Sequence, residues 1–91
     1  MKFAWDETKA QANAIKHGVT FNEAQTVFDD VLSGTLDDPT HSDEEERFII
    51  IGMTSANRLL FVSFIEREDT IRIISAREAT RKERIRYENQ P

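Results

Sequence analysis

The sequence predicts an α+β fold: an antiparallel β-sheet with two helices before it and one after it, built as one domain over residues 1–91. Three observations predict it. Apolar runs at Arg47 to Met53, Leu59 to Ile65 and Thr70 to Ala76 follow one another across connections of only five and four residues. Connections that short join antiparallel neighbours. Two stretches before these runs carry apolar residues at helical spacing behind capping residues, and a charged stretch after them reads as a third helix. Strands grouped together, with helices at either end of the chain, are the pattern of a sheet with helices packed on one face.

Each element has its own warrant. Lys2 to Trp5 places Phe3 and Trp5 two residues apart, as an entering strand does. Asp6 is a candidate N-cap for a helix over Glu7 to Lys16, in which Ala10, Asn13, Ala14 and His17 recur at helical spacing. Gly18 closes that helix, because glycine takes positive φ without a Cβ clash. Thr20-Phe21-Asn22-Glu23 fits a capping box, and Phe21, Ala24, Val27 and Phe28 give the helix that follows, to about Asp29, an apolar stripe. Gly34 to Asp38 fits a short edge strand, and residues 39–43 form the strongest turn signal. The last helix, Arg77 to Tyr87, offers only Ala79, Ile85 and Tyr87 to a core, which predicts loose packing on the sheet or docking on a partner.

Charge is distributed unevenly. The 91 residues carry a net charge of −5, but seven of the twelve Lys/Arg lie between Arg67 and Arg86, and nine Asp/Glu with no Lys or Arg lie between Thr20 and Glu46. A basic strand and helix on an acidic chain point to one surface for a polyanion and another for a different partner. Without cysteine there is no disulfide framework, thiolate metal site or thiol nucleophile. No apolar run approaches the length of a membrane span, and the first residues lack a signal-peptide pattern, so the expected location is the cytoplasm, away from any membrane.

Several residue groups carry chemistry. Strict alternation along Thr70 to Arg77 puts Ile71, Ile73 and Ser75 on one face and Arg72, Ile74 and Ala76 on the other. Arg72 then stands on the open face, with Arg47 at the start of another strand and Arg77 at the end of its own. Guanidiniums on a rigid sheet suit phosphate, since the planar fork engages two oxygens and keeps its charge. The competing reading pairs Arg72 and Arg47 with Glu46, Glu66 or Glu68 across strands. Lys16-His17 offers a proton carrier beside a cation, or simply two cations completing a helix C-terminus. His41 with Asp37, Asp38, Asp43 and Glu44 matches no defined ligand spacing, so neither a metal nor a cofactor is expected. Trp5 and Phe3 are candidates for base stacking, or for the core. In the last helix, Glu78 and Lys82 have the spacing of an i,i+4 pair, while Arg81, Arg84 and Arg86 add a weak nucleic-acid signal. The acidic tract Asp37 to Glu46 suits a cationic protein partner, or solubility alone.

Taken with these residues, the chain closely resembles the BrnT toxins, the ribonuclease half of the BrnT/BrnA type II toxin–antitoxin systems. The resemblance runs nearly end to end. It rests on Phe3-x-Trp5-Asp6-x-x-Lys9, Asn13-x-x-Lys16-His17-Gly18-Val19-x-Phe21-x-x-Ala24, Glu45-Glu46-Arg47-Phe48, and Ile71-Arg72-Ile73-Ile74-Ser75-Ala76-Arg77 continuing to Glu83-Arg84-x-x-Tyr87. It implies a RelE-like sheet with packed helices, a metal-independent endoribonuclease that arrests translation, and neutralisation by a BrnA-type antitoxin. It further implies a mixed toxin–antitoxin complex that reaches promoter DNA only through the antitoxin. In such a mechanism Arg72, Arg77 and Arg47 would face phosphate, with Arg81 extending the set; His17 or Lys16 would move protons, with Glu46 a spare base and Tyr87 a spare acid. The alternative is a non-catalytic RelE/ParE-like binding module that inhibits a protein target, or serves only as its antitoxin's regulatory partner.

Overall fold

The structure, a computed structural model, describes residues 1–38 and 46–89. Its elements in chain order are β1 (Lys2–Ala4), α1 (Glu7–His17), α2 (Phe21–Ala24) continued by a 3-10 turn (Gln25–Asp29), β2 (Gly34–Asp37), β3 (Phe48–Met53), β4 (Leu59–Arg67), β5 (Thr70–Glu78) and α3 (Arg81–Glu88). The α+β class holds. The five strands form one sheet in the order β1-β5-β4-β3-β2. The predicted meander pairs antiparallel throughout, while β1 joins β5 in parallel, Phe3 opposite Ile71, so the sheet is mixed.

Local chemistry sets the helix ends. The Asp6 carboxylate accepts from the Lys9 amide at 3.1 Å, and Gly18 closes α1 at φ 68°, where a side chain is disfavoured. Thr20 caps α2 by accepting from the Glu23 amide at 3.1 Å. The predicted box there closes only on this side, because the Glu23 carboxylate turns away to Arg58 and Thr54. The helix predicted to run to Asp29 tightens after Ala24 into 3-10 geometry. Thr26 diverts the ladder: its hydroxyl donates to the Glu23 carbonyl at 2.7 Å and accepts from the Ser55 amide.

The sheet has two differently covered faces. On one, α1, α2 and the 3-10 turn bury Val19, Phe21, Ala24 and Val27 against Ile50, Val62, Phe64, Ile71, Ile73 and Ala76. Phe3 and Trp5 pack onto this cluster, Trp5 edge-on to Phe21 at 5.9 Å, which is the core reading of both aromatics. On the other face Ile49, Ile51 and Leu59 gather Met53, Phe61, Ala79 and Tyr87. The third helix lies here, so helices flank both faces rather than one.

Two details depart from simple alternation. Between Ser63 and Phe64 of β4 the register to β5 slips: Ser63 faces Ser75 but Phe64 faces Ile73, leaving Ile74 as an extra residue. This bulge reverses the phase of β5 beyond it. Ala76 therefore joins Ile71 and Ile73 in the core, opposite to the face predicted for it, and Ser75 moves to the other side. Next, β1 pairs only with Thr70, Ile71 and Arg72, and further along the edge of β5 a side chain takes over. The buried Asn13 amide donates to the Ala76 carbonyl at 2.8 Å and accepts from the Ala76 amide at 3.1 Å, as a neighbouring strand would. It also donates to the Val19 carbonyl at 3.0 Å, locking the end of α1 to the sheet.

The last helix starts four residues later than predicted, at Arg81, because the strand runs on to Glu78. Thr80 and Glu83 form the complete capping box of the chain's described part, each side bonding the other's backbone amide. Glu78, now a strand residue, reaches Arg58 at 3.4 Å, and its predicted pairing with Lys82 is not made. The turn predicted over residues 39–43 lies outside the described residues.

Candidate functional site

The bulge gives the candidate site its arrangement. Alternation without it would put Arg72 and Arg77 on opposite faces. With it, both stand on the face away from α1 and α2, Arg72 opposite Ile65 and Arg77 opposite Phe61. Ile65 and Phe61 are four residues apart on β4, so the two arginine backbones are separated by ~13 Å.

They do different things. The Arg77 guanidinium lies 3.9 Å over the Phe61 ring, and its two terminal nitrogens meet the two Glu83 oxygens at 2.9 Å each. The Arg77 hydrogen bonds outweigh partial burial and, with the Thr80 amide, hold the Glu83 carboxyl below the ordinary glutamate value. The Arg77 fork is thus spent on fastening α3 to the sheet. Arg72, by contrast, is exposed, and its side chain has no hydrogen bond or ion pair among the described residues. The Arg47 side chain has none either, so the cross-strand pairing of these two arginines with Glu46, Glu66 or Glu68 is not formed.

Arg47 continues the β3 ladder by one residue, its carbonyl accepting from the Asp38 amide at 2.9 Å. Since Phe48 faces Phe64, Arg47 falls beside Ile65, and Arg72 flanks Ile65 on the other side. Arg47, Ile65, Arg72 and Ala4 form one row across the open face, with the two arginine backbones ~10 Å apart. A hollow of about 420 Å³ between Ala4, Ile65, Glu68, Thr70 and Arg72 adjoins one of about 320 Å³ that Glu46 and Phe48 line. Ile65 and Arg67 border both. Arg67 was readable from its two-residue spacing to Ile65, yet sequence reasoning passed over it.

The remaining candidates stand elsewhere. Lys16 and His17 occupy the last turn of α1, at the end of β5 far from Arg72 and on the helix-covered side. Beside them Arg58 donates to the Gly18 carbonyl at 3.0 Å while pairing with Glu23 at 2.7 Å, and that bond keeps the Glu23 carboxyl low. Arg81 is exposed at the first position of α3. The Tyr87 hydroxyl donates to the Asp30 carboxylate at 2.6 Å. Burial, followed by that bond and the Asp30 charge, pushes the phenol up to about 12. Burial raises Asp30 as well, but the bonds from Tyr87 and from the Met53 and Leu32 amides outweigh it and leave the carboxyl below its ordinary value.

The predicted residues therefore fall into three groups: Glu46, Arg47 and Arg72 at one end of the open face; Arg77, Arg81 and Tyr87 on or under α3; and Lys16 with His17 behind the sheet. Among the described residues no three His, Cys, Asp or Glu side chains gather as a metal cluster would require; His41, Asp43 and Glu44 lie outside them. No described helix is long and apolar enough to cross a membrane.

Comparison with known proteins adds the family. The model of the "Ribonuclease toxin, BrnT, of type II toxin-antitoxin system" matches residues 5–83. Among solved structures, the crystal structure of the Brucella abortus ribonuclease toxin BrnT is similar at 28% identity and a TM-score of 0.64, covering 89% of this chain and 99% of its own. No curated protein sequence matches significantly. A match of this extent to the family, on a fold shared with a member of it, means that the chain belongs to the BrnT ribonuclease toxins of type II toxin–antitoxin systems.

Proposed function

We propose that the chain is an endoribonuclease that works in the cytoplasm without a metal, binds RNA across the open face of its sheet and thereby stops translation. One observation carries this reading: Arg72 and Arg47, neither with a hydrogen bond or ion pair among the described residues, flank Ile65 in a single row on that face. Two guanidiniums on a rigid sheet offer their forks to successive phosphates, and Ile65 between them presents an apolar surface for a base or ribose.

The reaction is transesterification followed by release. The ribose 2′-hydroxyl attacks the adjacent phosphorus, its proton passing to a base, while the bond to the 5′-oxygen breaks and that oxygen takes a proton from water. A 2′,3′-cyclic phosphate and a 5′-hydroxyl remain. Charge growing on the phosphate is met by Arg72 and Arg47. Glu46, bordering the hollow next to Ile65, takes the base's place. In this reading Arg77 holds α3 in position, and Arg81 lies beyond the row as an added phosphate contact. Tyr87 keeps its proton on Asp30 at neutral pH, and Lys16 and His17 serve the end of α1. A BrnA-type antitoxin is the neutralising partner, and through it the complex reaches promoter DNA.

The test is pulsed expression in cells of the wild type, Arg72→Ala, Arg47→Ala, Glu46→Gln and His17→Ala, following growth and total RNA, with circular dichroism of each purified protein. Removing one preorganised charge stabiliser costs on the order of 100-fold in rate, so Arg72→Ala is expected to stay folded, leave RNA intact and permit growth, while His17→Ala still cleaves. Folded Arg72→Ala and Arg47→Ala proteins that cleave RNA like the wild type would refute the assignment. Arrest by the wild type with intact RNA would move the chain to the protein-inhibiting class.

A further inference from the structure

The far side of the same face carries a second feature that RNA chemistry does not use. Among the described residues β2 is an edge strand, bonded to β3 on one side only. The Asp38 amide bonds to Arg47, so alternation along the ladder turns the backbone groups of Thr35 and Asp37 outward, away from β3. Among the described residues nothing pairs with them. Beside this edge, β2, β3 and α3 enclose a groove of about 460 Å³ whose walls include Leu36, Ile51, Ile85 and Tyr87. The turn leading into β2 adds Val31, 94% exposed, and Leu32, 61% exposed, while Ile85 is 48% exposed. An open strand edge next to apolar side chains as exposed as Val31 and Ile85 is what β-strand addition requires.

The charge around the groove defines the occupant. From α3, Ile85, Arg86, Tyr87 and Asn89 line the groove, and Lys82, three residues before Ile85, shares that side of the helix by spacing at the groove's margin. Glu83 is consumed by Arg77, and neither Lys82 nor Arg86 has an ion pair among the described residues. The groove is therefore apolar at its floor and basic along the helix wall. From this we infer that the β2 edge and the α3 groove seat one extended segment of the antitoxin: it adds as a sixth strand beside β2, sets apolar side chains against Leu36, Ile51 and Ile85, and directs carboxylates to Lys82 and Arg86. The inference rests on the family's toxin–antitoxin reading and gives that partner its surface. It leaves the Arg47–Arg72 row uncovered by the segment itself.

The experiment uses the full chain and, as probe, the antitoxin cloned from the toxin's own locus and recognised by its restoring growth. The variants are Thr35→Pro, which removes an outward N–H, the double reversal Lys82→Glu with Arg86→Glu, and Arg84→Glu on the other side of α3 as control. All are expected to arrest growth and cleave RNA when expressed alone. With antitoxin, the Thr35 and double variants are expected to bind at least tenfold more weakly than wild type by isothermal titration and to escape neutralisation, whereas Arg84→Glu binds normally. The double variant alters only exposed side chains, so it remains informative where Thr35→Pro fails to fold. Normal binding and neutralisation of every folded variant overturns the inference. So does loss of RNA cleavage in the double variant with antitoxin binding intact, which makes the groove an RNA contact, or a changed oligomeric state of the toxin alone, which makes it a self-interface. If no protein from the locus restores growth after wild-type arrest, the toxin–antitoxin reading itself fails, and the inference with it.

Discussion

Asn13→Ala is the substitution whose cost can be worked most directly from the structure. Asn13 is 7% exposed and holds three backbone groups: the Val19 carbonyl and both the carbonyl and amide of Ala76. Alanine leaves all three without a partner in a place where Ala76 is wholly buried. A buried group stripped of its partner costs about 1–3 kcal/mol. Some of the three would recover a water at the sheet edge, so the sum is about 3–5 kcal/mol. A chain of this length has roughly 5–14 kcal/mol to lose, and a domain of this size shifts by about 4–8 °C in Tm per kcal/mol. The expected fall is therefore at least about 12 °C. Urea and thermal unfolding followed by Trp5 fluorescence measure it, since the single tryptophan packs edge-on against Phe21 beside this helix. Asn13→Asp sharpens the test. A carboxylate can accept from the Ala76 amide but faces two carbonyls with no donor, so Asp should gain little over Ala at neutral pH. An Asn13→Ala protein within about 0.5 kcal/mol of the wild type would refute the idea that this amide substitutes for a strand.

Further outcomes follow from other parts of the structure. Because folded Tyr87 keeps its proton to about 12 against 10.0 for the free side chain, its stabilisation is complete below pH 10 and is lost as pH rises from 10 towards 12. Tyr87→Phe should therefore flatten the alkaline limb of a Tm-against-pH curve, and an unchanged limb would show that the Asp30 contact does not matter. Gly52→Ala places a Cβ 3.0 Å from the Ser33 Cβ and 3.2 Å from the Val27 carbonyl oxygen. Since the second neighbour is backbone, the substitution should cost about 1–3 kcal/mol in urea unfolding; a neutral result would mean that the turn before β2 yields easily.

Much of the fold was legible because its signals are local. Asp6, Gly18 and Thr20 announce the ends of α1 and α2 through their own side chains or backbone freedom, and three apolar runs with short connections leave few topologies open. What stayed hidden depends on residues distant in sequence. Nothing near Lys2–Ala4 says that β1 pairs in parallel with a strand nearly seventy residues on. Asn13 reads as a helix-face residue until Ala76 is placed beside it. The start of α3 is a different matter: Thr80-x-x-Glu83 is a readable capping box, obscured by the run of charges around it. At the candidate site, residue type drew attention to arginines on a sheet, but type alone cannot separate Arg72, left to solvent, from Arg77, whose charge is answered six residues later by Glu83. Tyr87 was likewise an available acid on paper and is a pinned donor in the fold, because Asp30 arrives from the other half of the chain.

The bulge at Ile74 gives β5 a tolerance of length that no side chain carries. Every residue from Ser75 to Glu78 owes its side of the sheet to one surplus position. A substitution at Ile74 alters a half-buried side chain and leaves the count intact. A deletion of Ile74 would instead remove the surplus: Arg72 and Arg77, then four positions apart, stay on one face by simple alternation, and Ala76 stays in the core with Ile71 and Ile73. Loss of Ile74 is thus expected to straighten the strand and leave every later side chain on its present face, which thermal unfolding and growth arrest by that deletion variant would check.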